Sequence, residues 1–189
     1  INVGLVGSEM CIRDRLYISD INITNYISDN SGALFTIDSL TQLYKQHISF
    51  RGVLLADKPG LNDFERIVSL VDYYQSKHPR ISPYIQALPL YASPSRLDTT
   101  NYLDYLSLFA QKLKPATLNV EHFAVFKKGM RDEFFPNLAM VRQAAFESNK
   151  SFWAYALAVP FNEHPEIVHS HLRLQIYAGL AYGAKGVQY

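Results

Sequence analysis

The strongest constraint on the fold is an alternation. Short runs rich in β-branched and aromatic residues, at 16–21, 52–57, 82–90, 117–122, 151–159 and 186–189, are separated by stretches whose apolar residues recur at helical spacing. This order marks a parallel sheet built from strand–helix units, because parallel neighbours need a long crossover and a helix supplies it. The runs are apolar on both alternations, so burial on both faces is expected. Phe64, Ile67, Val68, Val71 and Tyr74 share one helical face, with Asn62 and Glu65 at the spacing of a capping box. Tyr102, Tyr105, Leu106, Phe109 and Leu113 form a second stripe closed by Pro115, and Phe134, Leu138, Val141 and Ala145 form a third. In the last stretch Pro165 suits a first turn, Val168, Leu172, Ile176 and Leu180 recur every four residues, and Gly183 is placed for a C-terminal cap. These stripes read as core.

No dinucleotide-binding glycine pattern follows any of the runs, which favours a barrel over a doubly wound sheet. A complete (β/α)8 barrel takes about 250 residues, whereas this chain has 189. The expected architecture is therefore α/β: a (β/α)8 TIM-barrel fragment carrying strands 3 to 8, with strands 1 and 2 and the last helix missing and the chain stopping within a strand at Tyr189. With 48% hydrophobic residues and a net charge of +1, the chain belongs with globular proteins, and no basic patch argues for nucleic acid. No apolar run approaches the roughly 20 residues of a membrane span, and no signal-peptide layout opens the chain.

Residues 4–15, GLVGSEMCIRDR, resemble the translation of a transposase-type sequencing-library adapter. Residues 1–15 are accordingly set aside and 16–189 are taken as one partial barrel domain. A phosphate-binding loop at Gly4 to Ser8 is the rival reading, but it lacks the Gly-Lys-Ser/Thr ending such a loop needs. Cys11, the single cysteine, leaves with the adapter, so no disulfide or cysteine metal site is expected.

The segments GVLLADKPG, YIQALPLYASP, LNVEHFAVF, SFWAYALAVP and LRLQIYAGLAYGAKGVQY, in that order, resemble a group of secreted (β/α)8 glycoside-hydrolase-like proteins of Bacteroidetes, related to clan-A and β-galactosidase-like barrels. The similarity covers nearly all of residues 50–189. It implies a carbohydrate-active barrel, exported to the periplasm or cell surface, that binds an oligo- or polysaccharide at the C-terminal ends of its strands and needs no cofactor.

Glycoside hydrolysis normally uses two carboxyl groups, one protonating the leaving oxygen and the other acting as nucleophile or base. In the resembling group the fourth strand commonly ends Asp-Glu-Pro, with the glutamate as acid/base; here Asp57, Lys58 and Pro59 match those positions. Lys58 is a poor proton donor unless burial lowers its pKa strongly. Asp57 replaces it only if the strand end twists or bulges, since neighbours on a strand point to opposite faces. The clan-A nucleophile position ends strand seven, where SFWAYALAVP has no acid and Glu163 is the nearest. Glu121, where the resembling group has the acid of Asp-His-Tyr, is the leading catalytic candidate, with Asp57 second.

Candidate sugar contacts are Lys58, His122, Trp153 and Tyr155 on one strand face, Tyr91, Asp20 and Gln188. Each has a plain structural alternative: a loop cap for Asp57, an ion pair with Lys127 or Arg131 for Glu121, a satisfied core histidine for His122, and barrel packing for the aromatic pair. His164, His169 and His171 lack metal-ligand spacing, so no metal is expected. The leading function is a glycoside hydrolase with an altered acid position. The alternatives are a barrel that binds glycan without cleaving it, and a lyase or aldolase using Lys58 for Schiff-base chemistry.

Overall fold

The computed structural model describes residues 3–6, 16–20, 34–160 and 164–189. Contacts divide the chain into two units, Ile1–Gln86 and Ala87–Tyr189.

In the first unit, strands β1 (Val3–Val6) and β2 (Leu16–Asp20), helix α1 (Leu34–Tyr44), strand β3 (Phe50–Asp57), a 3-10 turn (Leu61–Asp63), helix α2 (Phe64–Lys77) and strand β4 (Ser82–Gln86) follow one another. The sheet order is β1-β2-β3-β4; β1 is antiparallel to β2 and the other pairs are parallel. Helix α2 buries Phe64, Ile67, Leu70, Val71 and Tyr74, the expected stripe with Leu70 in place of Val68. Val53 and Leu55 of β3 are wholly buried. Gly52 is required by sterics: a Cβ there would collide with the Ser82 carbonyl oxygen and the Tyr17 ring. Helix α1 is fastened to α2 by polar contacts, the Tyr73 hydroxyl donating to Asp38 at 2.7 Å and His78 Nε2 lying 3.1 Å from the same carboxylate.

The second unit contains α3 (Pro94–Leu97), α4 (Tyr102–Lys112), β5 (Thr117–Asn119), β6 (Val125–Phe126), β7 (Gly129–Met130), α5 (Phe134–Glu147), β8 (Ser151–Tyr155), α6 (His169–Ala181) and β9 (Gly186–Gln188). Strands β5, β8 and β9 form a parallel sheet in that order, and β6 and β7 form a hairpin. Asn101 caps α4, its Oδ1 accepting from Leu103 N at 3.0 Å. The α4 stripe is core with polar handles attached: the Tyr102 hydroxyl donates to Leu88 O at 2.9 Å, and Leu88 N donates to the Tyr105 hydroxyl at 3.1 Å.

Two expectations need correction. The (β/α)8 TIM-barrel fragment is not formed: among the described residues the strands make a four-stranded sheet, a three-stranded sheet and a two-stranded hairpin, and no sheet closes on itself. Alternation of strands and helices encodes parallel pairing, which is present, whereas closure needs a complete ring of ladders with consistent tilt and shear. That ring has no periodic signature. The last helix also packs differently from its pattern. Pro165 precedes α6 by four residues, Val168 and Leu180 are exposed, and the buried positions of α6 are Gln175 and Gly179. A Cβ on Gly179 would lie 2.5 Å from that of Ala154, so the glycine lets the helix backbone approach β8 where the leucine stripe would hold it away. Gly183, at φ 94°, ends the helix as expected.

Candidate functional site

The end of β3 takes an unusual course. The β3–β4 register shifts between Leu54 and Ala56, and Lys58 adopts a left-handed backbone at φ 55° while its N–H donates to Gln86 O at 2.8 Å. The left-handed turn cancels the strand's alternation. Lys58 Nζ lies 3.8 Å from Asp57 Oδ1, with side chains 23% and 48% exposed. The register of β3 shifts two residues before its end, and Asp57 is still paired with Gln86, its carboxylate close to the Lys58 ammonium. Asp20 closes β2 and pairs with Val3; its side chain lies outside the described residues, as does Glu163.

In the second unit, several candidates come to one sheet edge. Asn119 pairs with Trp153 and Trp153 with Gly186, while Tyr155 pairs with Gln188. Glu121 follows the end of β5 by two residues, while Tyr155 and Gln188 pair at the carboxyl ends of β8 and β9. Ligands of open α/β sheets bind at such ends. Trp153 and Tyr155 share a face and are partly exposed, whereas Phe152 and Ala154 between and beside them are buried. The Tyr155 ring meets Phe123 edge-on at 5.6 Å, and Phe123 meets His164 at 4.9 Å. His164 is tied to Val125 O through Nδ1 at 2.6 Å. No cluster of potential metal ligands occurs among the described residues.

His122 is 3% exposed, and neither ring nitrogen has a hydrogen-bond partner. Its ring is edge-on to Tyr91 at 5.0 Å and 5.7 Å from Phe134. Burial, aided by the Arg131 charge, lowers its pKa from 6.5 to about 4, so the imidazole is neutral at pH 7. Arg131 lies with its guanidinium carbon 4.3 Å from the Tyr91 ring centre and 5.1 Å from that of Phe126; its Nε is buried without a partner. On another side, His122 borders a small pocket of about 10 Å³, lined in part by Trp153, Tyr155, Asn137 and Gln175, room for about one water.

Three residues of this region escape a reading of the sequence. Gln175 clamps the end of β8, accepting from Leu157 N at 3.0 Å and donating to Leu157 O at 3.3 Å. Asn137 Oδ1 accepts from Leu90 N at 2.9 Å and lies 3.1 Å from the Tyr102 hydroxyl. Each is a buried amide on a helix whose neighbours are apolar, which is the signal that could have found them. Arg131 figured only as a partner for Glu121, and nothing local marks its place between two rings.

No family model and no curated protein matches the chain. Among solved structures, the chain is similar to one from Bacteroides thetaiotaomicron VPI-5482 described as a "putative alpha-L-fucosidase". The identity is 11% over 87% of this chain and 55% of that one, with a TM-score of 0.55. It is also similar to the carboxyl transferase domain of Rhizobium etli pyruvate carboxylase, at 12% identity, a TM-score of 0.49, and coverage of 88% of this chain and 23% of that one. The chain thus spans about half the length of the first structure. At such identities the likeness is one of fold.

Among the described residues, no helix is long and apolar enough to cross a membrane.

Proposed function

We propose that this chain is a glycoside-hydrolase-like protein that acts on a glycan at the carboxyl ends of β5, β8 and β9. The observation that supports the reading is that Tyr155 and Gln188 pair at the carboxyl ends of β8 and β9, with Glu121 two residues past the carboxyl end of the neighbouring β5. A carboxyl group, an aromatic ring and an amide at one edge match the needs of a sugar: a group for proton transfer, a face for its C–H bonds, and partners for its hydroxyls. Likeness in fold to a structure described as a fucosidase is compatible with this role. Glu121 is the proposed catalytic carboxyl; Trp153, Tyr155, Tyr91, His122 and Gln188 are proposed sugar contacts. An exported location belongs to the same proposal.

A second reading, binding without cleavage, is favoured by the Asp57–Lys58 pair at 3.8 Å. An ammonium held against a carboxylate does not protonate a glycosidic oxygen. The same pairing gives no support to a Schiff-base role for Lys58, which needs an apolar pocket.

The test is a panel of aryl glycosides, α-L-fucosides among them, assayed for binding and hydrolysis with the parent chain and with Glu121→Gln. Hydrolysis by the parent and a fall of about 10²–10⁴-fold in the variant are expected. Full activity in Glu121→Gln removes that residue from the chemistry; binding without hydrolysis selects the second reading; a parent that neither binds nor cleaves any glycan ends the carbohydrate reading.

A further inference from the structure

We propose that Arg131, His122 and Tyr91 form a subsite for an acidic sugar, one carrying a carboxylate or a sulfate ester beside a free hydroxyl; this rests on the carbohydrate reading above. Buried polar atoms in folded proteins nearly always have a hydrogen-bond partner. Here three unpartnered ones, Nδ1 and Nε2 of His122 and Nε of Arg131, belong to side chains packed on a single ring, that of Tyr91.

The chemistry of the corner selects the ligand. A guanidinium held between the Tyr91 and Phe126 rings has its plane fixed, and its N–H groups lie in that plane, the arrangement that grips an oxyanion through two parallel bonds. Three residues on, α5 begins: Phe134 N donates to Arg131 O at 3.2 Å, and the Phe134 ring lies 5.7 Å from His122. The start of this 14-residue helix adds a positive dipole end. His122, neutral in this setting, offers one donor and one acceptor, which suits a hydroxyl adjacent to the anionic group. The charged groups nearby in the chain are Glu121, Asp132 and Glu133 on one side of the balance and Lys127 and Lys128 on the other, the latter four exposed. A bound anion offsets the Arg131 charge and makes His122 easier to protonate. Ligand binding and proton uptake are coupled at this corner.

The test uses the full chain and three probes: a galacturonic acid trimer, its carboxyl-reduced galactose counterpart, and a 6-sulfated galactose trimer. Calorimetry is expected to give at least a tenfold tighter affinity for one or both anionic trimers than for the neutral one. The better of the two anionic arms identifies the group, carboxylate or sulfate. Arg131→Met is expected to bring the anionic trimers down to the neutral level, and NMR of the parent should show the His122 ring resonances moving toward imidazolium on adding the preferred anionic trimer. Equal affinity for charged and neutral trimers overturns the subsite and leaves the carbohydrate reading standing, as does an anionic advantage that survives Arg131→Met. Failure of all three to bind overturns the subsite, while the carbohydrate reading is decided by the aryl glycoside panel.

Discussion

The carboxyl end of β3 and the carboxyl edge of the β5-β8-β9 sheet handle polar groups in opposite ways. At β3 the charges answer each other: a left-handed Lys58 turns its ammonium toward Asp57, and both side chains reach solvent. At the other edge the polar groups are drawn inward among aromatic rings, and His122 and Arg131 keep buried nitrogens without partners. An ion pair open to solvent contributes little. A buried unsatisfied group costs about 1–3 kcal/mol each and persists where something else gives it use. The second edge is therefore the better place for a ligand.

Gly52→Ala in the first unit puts a methyl group against the Ser82 carbonyl and the Tyr17 ring; a loss of about 3 kcal/mol is expected from this overpacking, read by urea denaturation. In the second unit the matching experiment is acidification. The folded His122 titrates near 4 rather than 6.5, so between those values the unfolded chain binds more protons than the folded one. Stability should thus fall as pH drops through this window, by roughly 3 kcal/mol in all, and flatten below it. A pH-independent melting temperature over that range would mean that His122 is already partnered.

Smaller effects sharpen the contrast. His122→Phe keeps a ring of similar shape and removes two orphaned nitrogens, so at pH 7 it should stabilise by about 1 kcal/mol and flatten the acid slope, measured by thermal melts of both proteins at matched pH. Such a gain, paired with weaker glycan binding, is the usual trade of function against stability. Lys58→Met deletes the exposed pair and should change stability by less than about 1 kcal/mol. A larger loss on denaturation would place real energy in the Asp57–Lys58 contact and weaken the contrast.

Some of this was legible in advance. The buried faces of α2 and α4 follow their stripes because burial on one side of a helix must repeat every three or four residues. Lys58 stood out as a basic residue where a glutamate was expected, and Trp153 and Tyr155 share a face as period two demands. Helix α1 and the β6–β7 hairpin went unread: α1 mixes Thr, Ser and Asp into its apolar positions, and the strands of the hairpin are two residues long. Arg131 and Gln175 were out of reach for another reason. Their roles depend on partners far away in the chain, Tyr91 for one and Leu157 for the other.

By itself the sequence determined the α/β class, the parallel pairing of strands across helical crossovers and the buried faces of α2 and α4, because periodicity and punctuation are local properties of a chain. Only the tertiary structure decided that the sheets stay open, that Gly179 rather than a leucine stripe seats α6 on β8, and that His122 and Arg131 share the Tyr91 ring. Closure, close approach and unmet hydrogen bonds are relations between distant residues, and they exist only once the backbone has brought those residues together.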